Sequence, residues 1–162
     1  MLDSPAAMVW FLSVLLYVHI LGAIFWFGSG LTLQIVFIPA LGTMPYEAQH
    51  PWLQALSGNY SRLIGPVGGL TILFGILRGA FAGVFGLLNT PYGITFIVSF
   101  VLAIPVIIIG ARFTGPTAQK LAAAGSRDEV LALAKQITRY GRIESAGMAV
   151  MLALMVAMHA GY

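Results

Sequence analysis

Cysteine is absent from this chain, and charged residues are scarce. Without cysteine the protein has no disulfide bond, thiolate metal site, iron–sulfur cluster or covalently attached c-type haem. Only 8% of the 162 residues are charged and 59% are hydrophobic, whereas roughly 25% of residues are charged in an average soluble domain. These proportions predict an integral membrane protein. Any metal chemistry must then rest on three histidines, five carboxylates or methionine.

Four apolar stretches are long enough to cross a bilayer as helices. Crossing about 30 Å of hydrocarbon at about 1.5 Å per residue takes roughly 20 residues. The stretches cover approximately residues 8–38, 64–88, 94–113 and 142–161. The expected fold is therefore all-α, an integral membrane four-helix bundle that forms a single transmembrane domain over residues 1–162.

Basic residues are concentrated in one connection and predict the orientation of the bundle. The connection between the third and fourth stretches carries Lys120, Arg127, Lys135, Arg139 and Arg142. By the positive-inside rule this connection is cytoplasmic, so both the N- and C-termini lie outside. The basic residues behind the net charge of +3 are then expected to interact with anionic lipid. The expected partner is therefore the lipid bilayer and not nucleic acid.

Capping signals predict two helix starts. Ser4 followed by Pro5 is typical of an N-cap and first helical residue, and Ser126 with Glu129 is typical of a capping box. The fourth helix is therefore expected to have a cytoplasmic amphipathic extension that begins near Arg127. Its apolar residues are expected to lie against the membrane or a partner. They are Val130, Leu131, Leu133, Ala134 and Ile137.

The connection between the first and second stretches contains Pro45, Pro51 and Gly58. Because these residues interrupt regular structure, we expect a short interfacial segment there. His50, inside the same connection, is interpreted as an exposed surface residue.

Two ionisable residues are expected at one depth in the outer half of the bilayer. His19 lies about nine residues, or roughly 13 Å, below Trp10 at the outer interface. Arg78 lies about 10 to 15 Å below the outer end of the second helix. A guanidinium in hydrocarbon costs several kcal/mol unless it finds water or an anion. The candidates are the terminal carboxylate after Tyr162, backbone carbonyls, or the anionic part of a ligand.

His19 shares one helical face with Leu15, Gly22, Trp26 and Gly30. Gly22, one turn away, predicts either a flat opening wide enough for a planar macrocycle or a close helix contact. The first alternative suits haem b, with His19 as axial ligand of the haem iron, Arg78 on a propionate and His159 as a candidate second ligand. A metal-ion or proton site, or a structural hydrogen bond, remain alternatives for His19.

A row of glycines and a row of methionines, each at helical spacing, allow more than one interpretation. Gly75, Gly79 and Gly83 are spaced four apart, which favours either tight packing within the bundle or a homodimer interface. Met148, Met151, Met155 and Met158 run along the fourth helix at spacings of three and four. Such a stripe is typical of packing, although thioethers also bind Cu(I) or haem iron.

Residues 17–41, with "HILGAIFWFGSGLTLQIVFIPAL", resemble the opening helix of CopD-like small four-helix membrane proteins. The shared pattern is a histidine, a glycine three residues on, a tryptophan and a further glycine before an apolar run ending in proline. The stretch is more loosely similar to HemJ, a membrane protein linked to haem binding. The resemblance implies that His19 is functional, with Gly22 and Trp26 around it. HemJ-like proteins also carry a lysine in the third helix, where this chain has only Arg112.

The sequence therefore predicts a b-type haem-binding protein of the bacterial inner (plasma) membrane. It is expected to be a membrane oxidoreductase or electron-transfer subunit that exchanges electrons with a quinone or a redox partner protein. The alternatives are a copper-ion or proton transport protein that uses His19 and Arg78, and an accessory membrane subunit without chemistry of its own.

Overall fold

The computed structural model describes residues 4–161, and within that range the chain is helical without a β-strand. Four helical spans are long and apolar enough, by length and composition, to cross a membrane. They are span 1 (Pro5–Thr43), span 2 (Tyr46–Phe81), span 3 (Pro91–Ala122) and span 4 (Arg127–His159). The predicted all-α class with four helices of membrane length is confirmed.

Spans 1 and 3 each contain one π-helical turn. Span 1 consists of an α-helix, a π segment and a second α-helix, over Pro5–Thr32, Leu33–Phe37 and Ile38–Thr43. Span 3 has the same order, over Pro91–Ile109, Gly110–Thr114 and Gly115–Ala122. Spans 2 and 4 are α-helical throughout.

A proline follows each π segment and explains the widened turn. Pro39 and Pro116 each stand two residues beyond the end of their segment. A proline inside a helix lacks an N–H, and its ring presses on the carbonyl four residues earlier, which for Pro116 belongs to Arg112. The wider turn relieves that clash, because the N–H of Gly115 bonds to the carbonyl of Gly110, five residues back.

Span 2 begins much earlier than the predicted helix over residues 64–88. The segment expected to be interfacial is helical from Tyr46 onward and continues through Pro51. Tertiary packing explains the difference, because Gln49 and Leu53 on this part of the helix are fully buried. Pro51 has no N–H, so the carbonyl of Glu47, four residues earlier, lacks its helical donor. Because Glu47 lies in the first turn of the helix, that carbonyl can bond to water instead.

Span 2 also ends earlier than predicted, at Phe81. Gly83 adopts a left-handed φ of 74° just after the helix, in the conformation that commonly terminates helices. A short 3₁₀ turn, Val84–Leu87, then leads to span 3. Gly83 therefore does not continue the helical stripe of Gly75 and Gly79.

The predicted capping residues are confirmed. The side chain of Ser4 accepts the N–H of Ala7, and that of Ser126 accepts the N–H of Glu129 at 3.3 Å. The carboxylate of Glu129 reaches back to the N–H of Gly125 at 2.9 Å. Both helix starts thus follow from local sequence.

The apolar face at the start of span 4 packs within the chain. Val130, Ala134 and Ile137 are at most 5% exposed. Val130 and Ile137 belong to a core cluster that also contains Leu41 at the end of span 1 and Leu53 in span 2. The expectation that this face lies against the membrane or a partner is wrong, because the adjoining parts of spans 1, 2 and 3 cover it.

The two ends of the bundle differ in charge, and we call them the basic end and the neutral end. The basic end carries the connections 44–45 and 123–126 together with the five basic residues between the predicted third and fourth stretches. The neutral end carries Ser4, the connection 82–90 and the end of span 4, and the connection has no charged residue.

Candidate functional site

His19 is oriented by a hydrogen bond from span 1 to span 2. Its Nδ1 lies 2.7 Å from the backbone carbonyl oxygen of Thr71. A carbonyl oxygen can only accept, so Nδ1 carries the hydrogen and donates it. The neutral imidazole then has its lone pair on Nε2, the arrangement that metal-binding histidines use when their second nitrogen is held by a carbonyl.

Glycines allow spans 1 and 2 to approach each other closely and antiparallel. A Cβ placed on Gly68 would lie 3.1 Å from the ring of Trp26, and one placed on Gly75 would lie 2.7 Å from the ring of His19. Both rings therefore rest directly on the backbone of span 2, which fixes their depth in the bundle.

The opening predicted beside Gly22 is filled. A Cβ on Gly22 would overlap the hydroxyl of Thr71 and lie 3.3 Å from its Cβ. The alternative interpretation of Gly22, a close helix contact, is therefore the one that the geometry supports. The expectation of a flat gap for a macrocycle at this position is wrong, because Thr71 of span 2 occupies it.

Arg78 lies three residues beyond Gly75 on span 2, about 4.5 Å further along the helix axis. It is half-buried, and its Nε is buried without a hydrogen-bond partner. Among residues 4–161 no carboxylate forms an ion pair with it, and the terminal carboxylate after Tyr162 lies outside the described residues. The structure thus puts Arg78, which has no ion-pair partner among residues 4–161, one helical turn from the His19 contact.

Trp26 connects this interface to the other two spans. It packs against a cluster formed by Ala103 and Val106 of span 3 with Met148 and Met151 of span 4. Those two methionines are at most 9% exposed, so the first half of the predicted thioether stripe serves packing.

The predicted glycine stripe also serves packing within the chain. Gly75 is covered by His19, and a Cβ on Gly79 would lie 2.6 Å from the ring of Phe96 in span 3. The close approaches at these two positions are therefore made by the chain's own side chains.

His159 is the last residue of span 4 and is exposed. Gln34 of span 1 contacts Gly141 and Ser145 of span 4, which sets the antiparallel register of the two helices. Counting equal numbers of residues from that contact puts His159 at about the level of His19. His159 stays a candidate second ligand, and among the described residues no contact joins the two imidazoles.

The half of the bundle near the basic end contains polar contacts that the sequence did not predict. Gln34 Nε2 donates to Ser145 Oγ at 2.9 Å and to the carbonyl of Gly30 at 3.1 Å. Thr114 Oγ1 donates to Glu144 Oε1. The sequence could have indicated Gln34, because an amide side chain inside an apolar run needs a hydrogen-bond partner on another helix.

By its position near the basic end, Glu144 could pair with Arg112 or Arg142. Both arginines are exposed, and neither forms a salt bridge with it within the described part of the chain. The π turn that ends at Thr114 brings the threonine hydroxyl to the carboxylate instead.

The donor atoms of the site match only some requirements of a haem. Nε2 of His19 fits an axial ligand, and the unpaired Nε of Arg78 fits an anionic substituent. The space beside Gly22 does not fit a macrocycle. Among residues 4–161 no group of three or more histidine, aspartate or glutamate side chains could hold a metal ion by itself.

Comparisons of the chain with protein-family models, with curated proteins and with solved structures found no match. The function therefore has to be argued from the chemistry of these side chains and from the bundle that positions them.

Proposed function

We propose that the protein is an integral membrane protein that binds haem b through His19 and takes part in electron transfer. It acts as an oxidoreductase or an electron-transfer subunit that exchanges electrons with a quinone or a partner protein. The resemblance of residues 17–41 to CopD-like proteins, and more loosely to HemJ, is in keeping with this proposal.

The observation that carries the proposal is the hydrogen bond of His19. Nδ1 donates to the carbonyl of Thr71 at 2.7 Å, which leaves the Nε2 lone pair available to a metal. A backbone acceptor on the second nitrogen orients an imidazole ligand and raises its basicity. Because the ring also rests on Gly75, its orientation is fixed before any ligand binds.

Arg78 supplies the second element of the proposed site. Its Nε is buried without a hydrogen-bond partner among the described residues, and a guanidinium inside the hydrocarbon is strongly stabilised by an anion. A haem propionate is such an anion, and Arg78, on the neutral-end side of His19, would hold it. His159, at a similar level on span 4, remains the candidate for a second axial ligand.

Haem held by Nε2 of His19, outside the space beside Gly22 that Thr71 fills, would supply a one-electron redox couple. The residues of the chain hold and orient it: His19 ligates, the carbonyl of Thr71 fixes the ligating tautomer, and Arg78 neutralises negative charge. Trp26 closes the side of the interface that faces spans 3 and 4.

The proposal includes the orientation of the helix bundle in the membrane. The basic end lies in the cytoplasm, where the positive-inside rule puts Lys and Arg, and both termini lie outside in the bacterial plasma membrane. The first residues of span 4 then form a cytoplasmic, amphipathic extension of that helix. His19 and Arg78 lie in the outer half of the bilayer.

The visible absorption spectrum tests the haem proposal. Protein purified in detergent from cells with ample haem supply should show a Soret band that sharpens on reduction with dithionite. His19→Ala should lose that band because the axial ligand is gone. Arg78→Gln should keep the band but release haem more readily, because the anion loses its cation.

His50→Ala is the matched control, since His50 is exposed at the basic end and should leave the spectrum unchanged. A colourless wild-type protein would contradict haem binding. A band of equal intensity in His19→Ala would contradict the assignment of the ligand.

One observation favours a second candidate, a transport protein for copper ions or protons. Thr71 fills the space beside Gly22, and a small ion needs much less room than a macrocycle. In that case the wild-type protein is colourless, and the flux of Cu(I) or protons into proteoliposomes falls in His19→Ala.

A further inference from the structure

Four polar side chains meet where the two π segments contact span 4. Gln34 of the first π segment donates to Ser145, and Thr114 of the second donates to Glu144. We call these four residues the π junction. Ser145 and Glu144 are neighbours on span 4, so one turn of that helix receives a polar contact from both widened helices.

The π junction is distant from the His19 site. Fifteen residues separate His19 from Gln34 along span 1, which corresponds to about 22 Å of helix. Glu144 therefore lies in the half of the bundle near the basic end, and the haem proposal does not involve it.

The carboxylate of Glu144 has little to compensate a negative charge. Its one hydrogen bond within the described residues comes from the neutral hydroxyl of Thr114. Gln34 of span 1, which bonds to the neighbouring Ser145, is uncharged, and the phenol of Tyr60 of span 2 interacts electrostatically with Glu144. Arg112 and Arg142 are exposed and form no ion pair with it in residues 4–161.

A half-buried carboxylate without a cation is costly in its ionised form. It lowers that cost by taking up a proton or by binding a metal cation. A multivalent metal ion prefers several anionic or imidazole ligands in one shell, and residues 4–161 contain no group of three or more acidic or histidine side chains that could hold one. A proton needs only the carboxylate and a hydrogen-bond partner, and both are present.

The backbone around Glu144 is also unusual. π turns inside α-helices are rare and occur frequently at functional sites. Pro39 and Pro116 remove the N–H groups that would otherwise bond to the carbonyls of Ile35 and Arg112, so these carbonyls lose their regular helical donors. Such carbonyls can accept hydrogen bonds from a protonated acid or from water close to the basic end.

We propose that Glu144 is a proton-binding site of the bundle, held at the π junction and supplied from water at the basic end. The carboxylate gains one proton to become a neutral carboxylic acid, and no electron is transferred. The site goes beyond the proposed haem function and does not depend on it.

Infrared spectroscopy of the full-length protein in lipid nanodiscs tests this proposal. At neutral pH the wild type should show the C=O stretching band of a carboxylic acid, and the band should disappear at sufficiently alkaline pH. Glu144→Gln should lose the band entirely. Glu47→Gln, a change at an exposed glutamate in the first turn of span 2, is the matched control and should keep it.

Thr114→Val provides a second variant in case Glu144→Gln does not fold. It removes the hydroxyl donor with almost no change in volume, so the acid band should remain and shift in frequency. The proposal is overturned if the wild type has no acid band at neutral pH, or if the band survives in Glu144→Gln or stays unshifted in Thr114→Val. Loss of the band when sodium or potassium replaces choline at constant pH would overturn it in favour of an alkali-cation site.

Discussion

At the scale of single residues, Thr71 has two separate roles at the centre of the interface between spans 1 and 2. Its backbone carbonyl accepts the hydrogen of His19 Nδ1, and its side chain occupies the space beside Gly22. The side chain is held in turn by a bond from its hydroxyl to the carbonyl of Val67 at 2.7 Å. A change at Gly22 should therefore disturb the His19 site without altering any of its donor atoms.

Gly22→Ala should destabilise the bundle by about 1 to 3 kcal/mol, the usual cost of adding a methyl group to a packed interior. The new Cβ would overlap the hydroxyl of Thr71, and a β-branched side chain has little freedom to rotate away. Unfolding by a denaturing detergent, followed by circular dichroism, measures the loss.

Gly28→Ala in the same helix is the control, because a Cβ there meets no atom within 4 Å. It should change the stability by less than about 0.5 kcal/mol. Removing the obstructing side chain in the double variant Gly22→Ala/Thr71→Ala should recover part of the loss. Equal losses for Gly22→Ala and Gly28→Ala would show that spans 1 and 2 do not approach as described.

At the scale of helical elements, the prolines that widen spans 1 and 3 lie beside the polar residues that bond these spans to span 4. Pro39 and Pro116 widen spans 1 and 3 near the basic end, and the side chains of Gln34 and Thr114 in these turns bond to span 4. Small residues complete the contact, since a Cβ on Gly141 would lie 2.7 Å from Gln34. Span 4 is thus linked by hydrogen bonds to spans 1 and 3.

A double-mutant cycle with Gln34→Leu and Ser145→Ala should detect the hydrogen bond between spans 1 and 4. Interhelical bonds of this kind average about 0.6 kcal/mol in membranes and rarely exceed about 1.7 kcal/mol. The coupling free energy is obtained from the unfolding of both single variants and the double variant in detergent. Strictly additive losses would mean that the 2.9 Å contact contributes no stability.

At the scale of the whole molecule, the outer surface of the bundle is as apolar as a membrane requires. Large hydrophobic side chains such as Ile24, Val101 and Val156 are more than half exposed on spans 1, 3 and 4. A soluble monomer rarely exposes apolar surface of this extent. The hydrophobic residues at the basic end, in contrast, are buried between the helix ends, as with Leu41 and Ile137.

Because the chain has no cysteine, single cysteines report its orientation against a blank background. Asn89→Cys lies in the connection at the neutral end, and Gly125→Cys lies in an open position at the basic end. A membrane-impermeant maleimide applied to intact cells should label Asn89→Cys, and Gly125→Cys should be labelled only after lysis. The opposite pattern would place the basic end outside and would move His19 to the cytoplasmic half of the bilayer.

Several features of this protein follow from the sequence alone because they depend on neighbouring residues. Hydropathy over about 20 residues sets the number of spans, and Ser4 and Ser126 cap their helices through contacts three residues away. The similar depth of His19 and Arg78 was also predictable, because a regular helix converts residue number into distance.

The tertiary structure decided what each candidate residue contacts. Gly22 was compatible with an open gap or a close contact, and only the position of Thr71 on another helix distinguishes them. Glu144 could pair with Arg112 or Arg142, yet the π turn of span 3 gives it Thr114. Helical spacing specifies which residues share a face, but the neighbouring helix that covers the face is chosen by packing over the whole bundle.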